Sequence, residues 1–152
     1  MYDCLHENKM CKNSIDAAEN LCGHCLNKFY EEDEGYVLEK NNIGKTALHI
    51  CIFRNSYFLL ENILSKENVN TQDDEGNTLL HEAIESSCDI NIIKLLMNRG
   101  ANPRIKNNKN ITSIDLVKNM IKKFKGGRLW KDCYNPEYRD YLFGIKKELM
   151  KK

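Results

Sequence analysis

Gly44-Lys45-Thr46-Ala47-Leu48-His49 returns 32 residues later as Gly76-Asn77-Thr78-Leu79-Leu80-His81, with glycine, threonine, leucine and histidine at matching places. The likeness continues downstream. Cys51 and Ala83, two residues beyond each histidine, are small enough for one helix to press against another, and Ile63-Leu64 and Leu95-Leu96 supply paired apolar residues farther on. Gly100-Ala101-Asn102-Pro103 closes the second unit and opens a third. A fixed period of this length implies an array whose units each bury their apolar side against a neighbour.

The spacing predicts a short inner helix from Thr46 to Phe53, a break at Asn55-Ser56 and an outer helix from Tyr57 to Lys66, whose Leu60, Ile63 and Leu64 form one stripe. The second unit runs from a tip at Asp73-Asp74-Glu75-Gly76 through an inner helix, Leu79 to Ser86, to an outer helix, Ile90 to Arg99. Asn110-Ile111-Thr112-Ser113-Ile114-Asp115 stands 34 residues after Gly76 as a degenerate third copy. Asparagine tolerates the left-handed turn conformation that glycine serves. A helix from Ser113 to about Lys125 should stop at Gly126-Gly127, and Asn135-Pro136-Glu137 should start another. Tyr138, Tyr141, Leu142, Ile145 and Leu149 share one side of that last helix, and Lys146, Lys147, Lys151 and Lys152 suit its C-terminal end.

These motifs resemble the ankyrin repeat, whose signature is G-x-T-x-L-H followed by a G-A-D/N-x link. The resemblance implies an all-α solenoid of helix-turn-helix and β-hairpin layers. It further implies that His49 and His81 bond the threonine at each tight turn and tie neighbouring layers together. The expected organisation is a helical, cysteine-containing N-terminal cap over 1–40, repeats at about 41–72 and 73–106 with a degenerate one from 107 to 125 onward, and a capping helix in 126–152. Ser14 to Tyr30 is expected to be the N-terminal helix, with Ile15, Ala18, Leu21, Cys22, Cys25, Leu26 and Phe29 near helical spacing. Leu5-His6-Glu7 resembles the remnant of an earlier repeat start.

Composition narrows the function. Charge is uneven: residues 1–40 carry −5, 41–117 carry −1 and 118–152 carry +7. A basic tail suits nucleic acid, acidic protein or anionic lipid, but equally a solvated helix face. No apolar run approaches the roughly 20 residues that span a bilayer. The N-terminus lacks the basic start and apolar core of a secretory signal, so the cytosol or nucleus is expected. Seven cysteines without an export signal read as thiols rather than a disulfide framework.

Cys22-Gly23-His24-Cys25 admits three readings. It matches a disulfide-exchange motif, though no strand precedes it. It could bind zinc together with Cys4, His6 or Cys11. Or its cysteines are small buried hydrophobes. No phosphate loop, nucleophile elbow or H-E-x-x-H is present, so neither an enzyme nor a cofactor is expected.

In ankyrin stacks, hairpin tips and outward positions of the inner helices line a groove for a protein partner. That resemblance selects Ile50, Phe53 and Arg54, then Glu82 and Glu85, with Asp73, Asp74 and Glu75 on one tip and Lys106 and Lys109 on the next. Ile50 and Phe53 are apolar where solvent favours polar residues, which points either to a partner or to cover by the N-terminal segment. Asn, Lys and Ile supply 51 of 152 residues, the bias of an AT-rich coding sequence. Small ankyrin proteins of this kind resemble viral I-kappa-B-like inhibitors, which implies a Rel/NF-kappa-B factor as partner. The alternative is a zinc-stapled or nucleic-acid-contacting regulator using the N-terminal Cys/His cluster and the basic tail, with Trp130, Tyr134 and Tyr138 to stack on bases.

Overall fold

The computed structural model describes residues 11–126 and 136–151. Within them the chain is an all-α stack of two rows of helices, with three isolated antiparallel bridges in place of a sheet. The inner row is α1 (Ser14–Glu19), α3 (Ala47–Phe53), α5 (Leu79–Glu85) and α7 (Ser113–Gly126), each packed on the next. The outer row is α2 (Gly23–Glu32), α4 (Tyr57–Ile63) and α6 (Ile90–Asn98), and α8 (Pro136–Leu149) lies against α6 and α7.

Short helices stand here because packing holds them, as isolated helices of this length are marginal in water. Leu48, Ile52, Leu60, Ile63, Leu80, Ile84, Ile92, Ile93 and Leu96 are fully buried in one continuous seam. Cys51 and Ala83 lie in it at matching places.

Each bridge closes a hairpin ahead of an inner helix: Lys40 with Thr46, Gln72 with Thr78, and Lys106 with Thr112. Gly44, Gly76 and Asn110 turn these tips at φ of 74°, 76° and 62°, so Asn110 takes the left-handed place of glycine. Gly44 and Gly76 are also confined from outside. A β-carbon on Gly44 would lie 2.2 Å from the Asp74 side chain, and one on Gly76 would lie 2.9 Å from the backbone nitrogen of Asn108. Each tip therefore rests on the glycine of the tip before it.

Two expectations need correcting. Ser14 to Tyr30 is not one helix: it breaks at Leu21, whose φ of 54° repeats the turns at Asn55 (55°) and Ser87 (52°). After each break the next amide reaches back to the inner helix, Cys22 to the Ala17 carbonyl, Ser56 to Cys51 and Cys88 to Ala83. The N-terminal segment thus repeats the helix-turn-helix of the layers. Second, α4 ends at Ile63 rather than Lys66. The link that follows lacks glycine, and Asn68 folds inward instead, donating to the Ile63 carbonyl (2.9 Å) and accepting from the Ser65 amide (2.8 Å). Arg99 adds its charge at that helix end by bonding the Leu64 carbonyl.

On α8, Leu142, Ile145 and Leu149 are buried, and the Tyr141 hydroxyl donates to the Cys88 carbonyl at 2.6 Å. Gly144 permits that approach, since a β-carbon there would lie 2.9 Å from the Ile90 Cδ1. Leu5-His6-Glu7, Trp130 and Tyr134 fall outside the described residues, as does the Tyr138 side chain. No described helix is long and apolar enough to cross a membrane.

Candidate functional site

The frame of the site is set by the two histidines. Thr46 and Thr78 cap α3 and α5 in capping boxes whose third residue is His49 or His81. The threonine hydroxyl meets the histidine Nδ1 at 2.9 Å in the first box and 2.8 Å in the second. The threonine amide donates to the same nitrogen, so Nδ1 is the acceptor and the proton sits on Nε2. Nε2 then reaches the next hairpin: His49 the Asn77 carbonyl at 3.3 Å, His81 the Ile111 carbonyl at 3.0 Å. Burial lowers the His49 pKa, which keeps the ring neutral, as this pattern requires. Asp115 holds Thr112 in the same way at 2.7 Å, and those bonds lower its pKa.

This frame fixes a groove of about 420 Å3 between the first hairpin and the end of α3, lined by Ile43, Lys45, Ile50, Phe53 and Arg54, with Glu19 and Asn41 at its margin. Phe53 is 66% exposed and Ile43 is 70% exposed, while Ile50 is buried at its floor. The two expectations for this pair therefore divide: α1 packs on α3, and Phe53 stays at the surface. Arg54 donates to the Glu19 carbonyl at 3.0 Å.

The rest of the expected set separates by burial. Asp73 is only 6% exposed, and its carboxylate accepts from the amides of Glu75 (3.0 Å) and Asn77 (2.7 Å), which shapes the tip. Glu82 is 5% exposed and pairs with Lys45 at 2.5 Å, joining the first hairpin to α5. The expectation that Glu82 faces outward is corrected, and Asp73, at the tip as expected, is buried within it. Asp74, Glu75, Glu85, Lys106 and Lys109 are exposed. Asp74 pairs with Lys40 at 2.7 Å and Glu75 with Lys109 at 3.5 Å, so the contrast in tip charge is largely answered between neighbouring tips. Ile43, Lys45 and Glu19 were missed from the sequence. An isoleucine at a hairpin tip was the available signal, since tips favour polar residues.

At the N-terminal end, Cys22 is the N-cap of α2, and Cys25 lies in its first turn. Their sulfurs and that of Cys11 all lie within 4.8 Å of one another. Burial and these sulfur neighbours push the Cys11 thiol up. Cys51 and Cys88, each buried elsewhere, are pushed up to about 12 by burial. His24 is exposed and not part of the cluster, and Cys4 and His6 lie outside the described residues. Among the described residues, the helical surroundings offer no βαβ unit of the kind that disulfide-exchange motifs occupy.

Hairpin, paired helices and a histidine link between layers define a repeat solenoid built to present a surface. The chain belongs to the ankyrin repeat family: a model of three ankyrin repeat copies matches residues 10–107. It is 33% identical to an alpha-latroinsectotoxin of Latrodectus tredecimguttatus over 57% of this chain and 6% of that protein. It is 33% identical to an ankyrin repeat-containing protein of Saccharomyces cerevisiae over 51% of this chain and 48% of that one. With a putative ankyrin repeat protein of fowlpox virus it shares 32% identity over 51% of this chain and 18% of that protein. The chain thus spans under half the length of each of these relatives.

Proposed function

We propose that this chain is a non-catalytic module that binds a protein partner through the groove at Ile43, Ile50 and Phe53. The observation that carries the reading is the pairing of two strongly exposed apolar side chains, Ile43 and Phe53, across a groove whose walls are fixed by buried hydrogen bonds. Exposed apolar groups on a rigid frame favour binding because little ordering entropy is lost on contact. The partner that fits is a protein segment with an apolar anchor between Phe53 and Ile43 and backbone or acidic groups for Arg54. Ankyrin membership supports protein binding in general.

The specific partner we propose is a host Rel/NF-kappa-B factor, with the chain acting as a small I-kappa-B-like inhibitor in the cytosol or nucleus. That step rests on resemblance to viral proteins of this size. Co-purification with a Rel-homology domain tests it, and a clean failure with the whole chain ends it. The groove itself is tested separately. Phe53→Glu and Ile43→Glu should each weaken capture of the partner by about tenfold or more, as loss of a central apolar anchor does. Unchanged capture by both variants would remove the groove from the account.

A further inference from the structure

The thiol cluster at the N-terminal helix pair is independent of the partner groove, and the two helices bring it together for a chemical reason. Cys11 precedes α1, and the left-handed turn at Leu21 folds α2 back so that Cys22 and Cys25 meet it. In the other layers the third residue of the outer helix is Leu59 or Ile92, both buried hydrocarbon. In α2 that place is held by Cys25, and two more sulfurs stand beside it. Sulfur has replaced bulk at one core position. Cys51 and Cys88 show the contrasting case of single thiols serving as small apolar groups.

A tetrahedral zinc ion with Zn–S distances of about 2.3 Å holds its sulfurs about 3.8 Å apart. The present separations, all within 4.8 Å, need side-chain shifts of only about 1 Å to meet that geometry. No disulfide joins the three. Three anions side by side repel one another unless a cation lies among them.

We propose that Cys11, Cys22 and Cys25 bind one zinc ion as thiolates and so clamp the start of α1 to the start of α2. On binding, three thiols release three protons to solvent and three Zn–S bonds form, leaving the trithiolate complex with one net negative charge. No electron moves. The staple stabilises the layer whose inner helix starts with Asn13 and Asp16 in place of threonine and histidine and so lacks the Thr–His link. A fourth donor, water or a side chain, completes the tetrahedron.

The test uses the whole chain purified under reducing conditions with zinc present and chelators absent. Elemental analysis should find one zinc per chain. Cobalt(II) in its place should give thiolate charge-transfer bands and the visible spectrum of a tetrahedral site. Cys22→Ser should weaken metal affinity by about tenfold or more while leaving the fold intact, because Ser56 holds the same place in the next layer. Cys11→Ser, outside any helix, should do the same. Cys51→Ala should retain full metal, since the matching positions in α1 and α5 are Ala17 and Ala83. Wild-type chain without stoichiometric zinc would overturn the proposal. So would cobalt spectra indifferent to both Cys11→Ser and Cys22→Ser, or a chain mass lower by two hydrogens under reducing conditions, which would reveal a disulfide.

Discussion

The layers at α3–α4 and α5–α6 and the pair α1–α2 share one helix-turn-helix, yet they are held in different ways. The central layers carry a hairpin, a threonine cap and a histidine that reaches the following layer. In the N-terminal pair Asn13 caps α1, and Ser14 donates to the Tyr36 carbonyl at 2.6 Å. The turn thus recurs whether the inner helix is capped by Asn13 or by a threonine–histidine pair, while the histidine adds linkage between layers. Asp115 sharpens the point from the other end. It reproduces the bond to threonine, but a carboxylate has no proton to donate onward.

The largest test compares matching leucines, the fourth residue of α4 and of α2. Leu60→Ala should cost about 3–4 kcal/mol, as a cavity in a closed seam does. Leu26→Ala should cost about 1–2 kcal/mol less, because the terminal layer relaxes more readily. Urea unfolding of both variants decides it, and equal losses would mean the two layers are equally constrained. Next, His49→Ala should cost about 2–3 kcal/mol through the lost cap and the stranded Asn77 carbonyl, against about 1 kcal/mol for Asp115→Ala, which loses only a cap.

A pH series refines this contrast. The unfolded His49 ring takes a proton near 6.5, and the folded one only at lower pH. Its contribution to stability is therefore complete above about pH 6.5 and declines as pH falls toward the folded value. His49→Gln should flatten that decline, and thermal melts at successive pH values would show it. Smallest of all, Phe53→Glu should change stability by no more than about 0.5 kcal/mol, since the side chain is exposed. A larger loss would make Phe53 part of the core.

The all-α ankyrin stack was legible because Gly, Thr and His mark positions where one residue type satisfies a backbone constraint. The left-handed Asn110 followed by the same logic. The turn at Leu21 was hidden, since leucine rarely adopts positive φ and Ile15 to Phe29 keep helical spacing across the break. The early end of α4 was hidden too, because Asn68 replaces the missing glycine with a side-chain bond rather than a backbone conformation. The groove was half visible. Ile50 and Phe53 are three residues apart on one short helix, and that spacing alone does not decide which of them is covered.

α7 has 14 residues, twice the length of α3 or α5, and runs straight through the place where those helices give way to a turn. The architecture consequently has a direction of growth. A unit duplicated between 41 and 106 would bring its own tip, seam and imidazole and slot between like neighbours. One inserted after α7 would part it from α8, which packs on both α6 and α7 as α4 packs on α2 and α3, so length changes more readily in the middle of this solenoid than between its last two helices.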